Sequence, residues 1–273
     1  MEQVEERYIS LLTDFGFKRI FGSAPNKDLL ICFLNSLFDG KQVVKDVSYL
    51  NPEHVGDVYT DRKAIFDVYC EGENGEKFIV EMQNAYQTYF KDRSLFYSTF
   101  PIREQAALLN FDMNEEAFEK EKIRHSVQLC DTATHKVFYD KLELIYVEIA
   151  KFNKSLEELE TLYDKWLYAL KNLYKLTQRP KELCDKVFDR LFEEAEIAKF
   201  TPQELREYEA SKIAYRDIKN SVDTAKREGI AEGMEKKSHE IAKKMLTKGM
   251  DEATVMEITG LSAELIQKLK AEM

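Results

Sequence analysis

The stretch AIFDVYCEGENGEKFIVEMQ (64–83) decides the fold. Two short runs, AIFDVYC (64–70) and KFIVEMQ (77–83), have the β-branched and aromatic content of strands. The polar link between them contains Glu-Asn-Gly-Glu, whose Asn74-Gly75 pair is hairpin-turn chemistry. Asp67 sits in the middle of the first run, and Glu81 and Gln83 sit near the end of the second. Strand side chains alternate, so Glu81 and Gln83 share one face while Met82 points to the other, and Asp67 can lie on the face of Glu81. Two carboxylates converging from apolar strands suit a divalent metal, because Mg²⁺ takes one or two carboxylates together with waters and phosphate oxygens. The plainer alternative is a hairpin that carries its charges on a solvent face, where carboxylates need no partner.

Working outward, residues 26–38 place Leu29, Leu30, Phe33, Leu34 and Leu37 at helical spacing after Asn26 as N-cap, and Asp39-Gly40 ends the helix. Strands are expected at Val43–Leu50, Lys63–Glu71 and Lys77–Asn84. A helix is expected from about Tyr89 to Ala106, with Pro101 kinking it. Further strands are expected at Ala107–Phe111, Ile123–Cys130 and Leu142–Phe152. From Ser155 the pattern turns helical: Ser155-Leu-Glu-Glu is a capping signal, and Leu162, Trp166, Leu170 and Leu173 form a stripe in which Trp166 reads as core. Residues 182–199 and 202–232 read as two more helices, with Gly229 and Gly233 as a joint near the end of the second. The expected organisation is a core over 1–152, a helical region over 153–235 and a small helical tail over 236–273.

Five blocks resemble the Rpn family of PD-(D/E)XK nucleases, often labelled recombination-promoting nuclease or transposase. They are TDFGFKRIFG (13–22), NKDLLICFLNSLF (26–38), VSYLNPE (47–53), DRKAIFDVYCEGENGEKFIVEMQ (61–83) and YFKDRSLFYSTFPIREQA (89–106). The resemblance is tight over roughly the first 110 residues. It implies an α/β, restriction-endonuclease-like three-layer core with a mixed central sheet, followed by a mostly helical C-terminal region. The α-β-β-β-α-β order read from the pattern agrees with that core. The resemblance also assigns Asp67 and Glu81 as metal ligands, and its third motif position, usually Lys, falls on Gln83. The implied reaction is Mg²⁺- or Mn²⁺-dependent hydrolysis of a phosphodiester in DNA, with a link to recombination or mobile elements. The metal would polarise the phosphate and ease deprotonation of the attacking water, from which Glu81 could accept a hydrogen bond.

Three departures stand out. Phe66 precedes Asp67 where the superfamily name has Pro. Gln83 can hydrogen-bond the attacking water but brings no charge. Lys91 or Arg93 on the next expected helix is a candidate replacement, and Arg93 is the better phosphate contact because its fork matches phosphate oxygens; a solvated helix face is the alternative for both. Third, the expected helix ending near Ala106 joins ALLNF (107–111) directly, where similar proteins have a longer segment, so most of a core strand is expected to be missing. A catalytically inactive relative acting as a DNA-binding or assembly module is therefore the rival reading. Asp14 and Lys18, at i and i+4, either form a local ion pair or reach the site.

The 273 residues are 44% hydrophobic and 12% aromatic, enough for a sizeable core. No apolar run approaches transmembrane length, and MEQVEERYIS has no signal-peptide core, so a cytoplasmic protein without a membrane segment is expected. Cys32, Cys70, Cys130 and Cys184 are scattered, form no zinc spacing with the four His, and read as buried free thiols. The net charge of −10 disfavours strong non-specific DNA binding, although the local field at a site matters more than the total. Ser211 to Lys248 runs the other way, with ten Lys or Arg against six Asp or Glu; this is either a basic arm or a mixed-charge surface helix. No Gly-rich phosphate loop is present, and Glu143 and Glu148 alternate to opposite faces, which argues against a shared site. In the tail, Asp251 and Ser262 cap two helices around Thr-Gly-Leu, a helix-turn-helix-like pair that suits packing, assembly through the C-terminal helices, or DNA recognition.

Overall fold

The computed structural model describes residues 6–50, 53–54, 64–65, 67–73, 75–85, 95, 104–113, 115 and 117–271. Two helices open the fold: α1 (Asp14–Phe21) and α2 (Lys27–Phe38). The strands are β1 (Val47–Tyr49), β2 (Glu53–His54), β3 (Ala64–Ile65), β4 (Val68–Gly72), β5 (Lys77–Gln83), β6 (Glu104–Leu109), β7 (Arg124–Cys130) and β8 (Val137–Glu148). Five described helices follow: α3 (Leu162–Asn172), α4 (Lys186–Glu194), α5 (Pro202–Thr247), α6 (Glu252–Thr259) and α7 (Ala263–Ala271). Six strands form one mixed sheet in the order β1-β4-β5-β6-β8-β7, and β2 and β3 pair separately. β5, β6 and β8 run parallel, while the β1–β4, β4–β5 and β7–β8 pairs are antiparallel.

Strand alternation divides the sheet chemically. Val68, Cys70, Phe78, Val80, Met82, Leu108, Ile145 and Val147 join the main core with apolar residues of α1 to α4. On the other face lie Tyr69 and Ile79, then Ala107, Leu109, Leu144 and Tyr146. The register explains the division, since Met82 pairs with Leu108 and Leu108 with Val147, whereas Glu81 pairs with Ala107 and Ala107 with Tyr146. Both faces of the central strands are thus apolar, as parallel sheets require. The expected Trp166 core position is observed: its ring lies 5.7 Å from Phe21, 5.7 Å from Phe33 and 5.0 Å from Phe188.

Several expectations are corrected. No core strand is lost at the Ala106–Ala107 join: β6 runs through it, six residues long, hydrogen-bonded to β5 on one side and β8 on the other. Glu104, Gln105 and Ala106, read as the end of a helix, are strand because the gap between two parallel strands supplies ladder partners that local propensity does not register. Gly229 and Gly233 form no joint, as α5 continues through both for 46 residues. Each glycine costs that helix roughly 1 kcal/mol, which the helix formers around it outweigh. Of the cysteines, Cys70 is buried and Cys32 half-buried, while Cys130 and Cys184 are exposed.

The described chain separates into two compact units, Met1–Ile218 and Lys219–Met273. Within the second, Ala242, Val255, Ile266 and Leu269 make a small core. Asp251 caps α6 through Thr254 N, and Gly260 ends that helix at φ +69°, a left-handed conformation that favours glycine. No helix among the described residues is long and apolar enough to cross a membrane.

Because Trp166 is the single tryptophan, its fluorescence reports on the main core alone. Phe33→Ala should destabilise that transition by about 3–5 kcal/mol. Chemical denaturation followed at the tryptophan band measures it, and an unchanged midpoint would contradict the packing described.

Candidate metal and nuclease centre

The site is built where the β4–β5 ladder stops. The last paired residues are Val68 and Val80, and one step further along that register sets Asp67 opposite Glu81. Asp67 occupies a bend rather than the middle of a strand. Its carboxylate takes over a hydrogen-bonding role at the ladder's end: Met82 N–H donates to Asp67 Oδ2 at 2.8 Å. On the next strand Gln83 Nε2 donates to Glu81 Oε2 at 3.3 Å, so the two side chains do share a face. Glu81 is only 3% exposed, and the Asp67 side chain is 22% exposed. The three residues singled out from the sequence are therefore brought together at the carboxyl end of β5.

Burial pushes the Asp67 carboxyl above its ordinary range, against the pull of the Met82 N–H and of Lys18. Lys18 Nζ lies 3.7 Å from Asp67 Oδ1 and 2.6 Å from Asp14 Oδ1. Burial would lower the Lys18 pKa, but its two carboxylate neighbours outweigh that and hold the ammonium charged. The expected Asp14–Lys18 ion pair and the reach into the site are thus both realised by one side chain.

Three polar residues that the sequence reading did not single out frame this end of the sheet. Asn84 Nδ2 donates to Leu12 O at 3.0 Å, tying the end of β5 to the segment leading into α1. Asn110 N–H donates to Gln83 O at 2.9 Å, and Asn110 Nδ2 donates to the Tyr215 hydroxyl at 3.1 Å. Asparagines one residue past the ends of two adjacent parallel strands were the available signal. Lys91 and Arg93 lie outside the described residues, as does Phe66.

Glu148, at the end of β8, is fully buried and bound by Met113 N–H at 2.6 Å, Lys151 Nζ at 2.7 Å and His125 Nε2 at 3.1 Å. Its oxygens are committed to holding the sheet end together. Glu143 lies one strand face away, against Ser126 and Arg124, so the two acids share no site.

Among the described residues no group of three or more His, Cys, Asp or Glu converges. Two carboxylates on adjacent strands, one buried and one half-buried with its charge disfavoured by burial, fit a hard oxygen-seeking cation that completes its shell with water and substrate.

A family model described as PD-(D/E)XK nuclease family transposase matches residues 11–225. The chain belongs to that family. A second model, described as the C-terminal HTH domain of the Rpn/YhgA-like nuclease family, matches residues 235–271 and covers α6, α7 and the end of α5. The mixed sheet with its helical layer and the helical C-terminal region is the restriction-endonuclease-like fold of these nucleases. No curated protein and no solved structure matches the chain.

Because folding raises the Asp67 pKa, this group favours the folded state at pH below its unfolded value, and that contribution is lost as pH rises through the folded value. Asp67→Asn keeps an acceptor for Met82 N–H while removing the buried charge. It should melt above the wild type at pH 8, with the difference shrinking at pH 4. Thermal denaturation of both proteins at the two pH values measures this, and a variant less stable at pH 8 would contradict the burial argument.

Proposed function

We propose that this PD-(D/E)XK family protein is a DNA endonuclease that hydrolyses phosphodiester bonds with Mg²⁺ or Mn²⁺ held by Asp67 and Glu81. The observation that carries the reading is the convergence of Asp67, Glu81 and Gln83 at one strand end within a chain of this nuclease family. The cation, when bound, supplies charge stabilisation at the phosphate and eases deprotonation of the attacking water. Glu81 accepts a hydrogen bond from that water and aligns it, and the Gln83 amide holds its orientation. The water oxygen forms a bond to phosphorus and gives its proton to bulk water, the bond to the leaving sugar oxygen breaks, and the leaving oxygen gains a proton from solvent. The raised Asp67 pKa means that acid weakens cation binding, so activity should fall as pH drops.

Lys91 and Arg93 are proposed as phosphate contacts, as the resemblance implies. The HTH unit supports DNA as the partner, with Gln267 and Lys268 exposed on its last helix. Assembly through the C-terminal helices, a cytoplasmic location and a role in recombination or mobile-element movement belong to the same proposal. One observation favours a second reading: Gln83 stands at the motif position usually held by Lys. A chain that binds DNA without cutting it would carry that substitution as a loss.

Incubating the purified chain with supercoiled plasmid and Mg²⁺ or Mn²⁺ separates the readings. Nicking by the wild type should fall by at least about 10²-fold in Asp67→Ala and Glu81→Ala. A folded wild type that binds plasmid without nicking it would move the assignment to the non-cutting reading.

A further inference from the structure

We infer that Lys18, delivered from α1, is the catalytic cation of this site and supplies the phosphate with the positive charge that Gln83 does not. The inference rests on the nuclease reading above. The need for such a charge follows from chemistry, since in-line attack on a phosphodiester builds negative charge on the phosphate oxygens and fixed cations stabilise it. Gln83, at the motif's third position, is neutral and engaged with Glu81 at 3.3 Å. Among the described residues Lys18 is the cation within ion-pair reach of Asp67.

Its setting is that of a held but uncommitted group. An ammonium has three N–H donors. Asp14, 65% exposed, takes the close contact at 2.6 Å, and Asp67 stands off at 3.7 Å, beyond good hydrogen-bond length. The Lys18 side chain is also 40% exposed, so a ligand can reach it. A lysine serving only to neutralise Asp67 would be expected to make the shorter contact with it.

The backbone under Lys18 is fixed more firmly than a surface ion pair needs. Thr13 caps α1 by accepting from Gly16 N–H. Gly16 packs so closely that a Cβ there would lie 2.1 Å from Ser10 O. The Tyr208 hydroxyl bonds Ser10 N at 2.9 Å, and Ser211 Oγ accepts from Phe15 N at 3.0 Å, which clamps the start of α1 to α5. The Leu12–Asn84 hydrogen bond then ties that same segment to β5 one residue beyond Gln83. The segment leading into α1 is thereby locked to the strand that carries Glu81 and Gln83.

The test uses the full chain and two readouts. Calcium titration by calorimetry, without DNA, reports the charge at the carboxylates. Lys18→Met should tighten Ca²⁺ affinity about tenfold, because a like charge is removed from beside the site. Plasmid nicking in Mg²⁺ should fall about 10²–10³-fold in Lys18→Met. It should recover at least tenfold in Lys18→Met/Gln83→Lys, where the charge returns from the neighbouring strand. Far-UV circular dichroism and melting establish that each variant is folded. Unchanged Ca²⁺ affinity in folded Lys18→Met, or nicking that Gln83→Lys does not restore, overturns the proposal. A wild type that fails to nick sinks the nuclease reading itself, an outcome visible before any variant is compared.

Discussion

Keeping two carboxylates together at the end of an apolar sheet is the constraint on which the rest of the structure depends. Water would solvate Asp67 and Glu81 readily, so a fold that buries them must return hydrogen bonds or opposite charge. Here the return comes from the strand itself: the ladder ends at Val68–Val80 and the next free backbone donor, Met82 N–H, goes to Asp67. Burial still leaves the Asp67 carboxyl with a raised pKa. In the proposed reading, a bound cation would offset that residual cost.

The surrounding architecture reads as support for that strand end. β5 must lie between β4 and β6 for one face to reach the helical core through Phe78, Val80 and Met82 while the other presents Glu81 and Gln83. β6 pairs with the edge of β5 that would otherwise leave its backbone N–H and C=O groups without ladder partners. Asn84 and Asn110 satisfy the chain where the strands stop and bind it to the α1 approach and to Tyr215. Farther along, Glu148 closes the end of β8 with three donors, a structural use of a buried acid in the same sheet.

The hairpin and the shared face of Glu81 and Gln83 were legible in the sequence because alternation and an Asn-Gly turn are local signals. The same holds for α2, for Trp166 and for the Asp251 and Gly260 punctuation of the tail. Periodicity alone puts Asp67 in a strand rather than at its bend, because capture of the Met82 N–H is a contact across strands. β6 is hidden for a related reason: Glu, Gln and Ala favour helices locally, and only two flanking parallel strands make them a ladder. The i, i+4 spacing of Asp14 and Lys18 was visible, but the arrival of Lys18 at Asp67 depends on how α1 docks on the sheet end. Helix propensity summed over α5 outweighs two glycines that read singly as a break.

The most direct measurement is anomalous diffraction from crystals of the full chain soaked in Mn²⁺. The account predicts a peak at Asp67 and Glu81, absent from crystals of Asp67→Asn. A Mn²⁺ peak bound elsewhere with none at these two residues, or a peak that persists unchanged in Asp67→Asn, would contradict it.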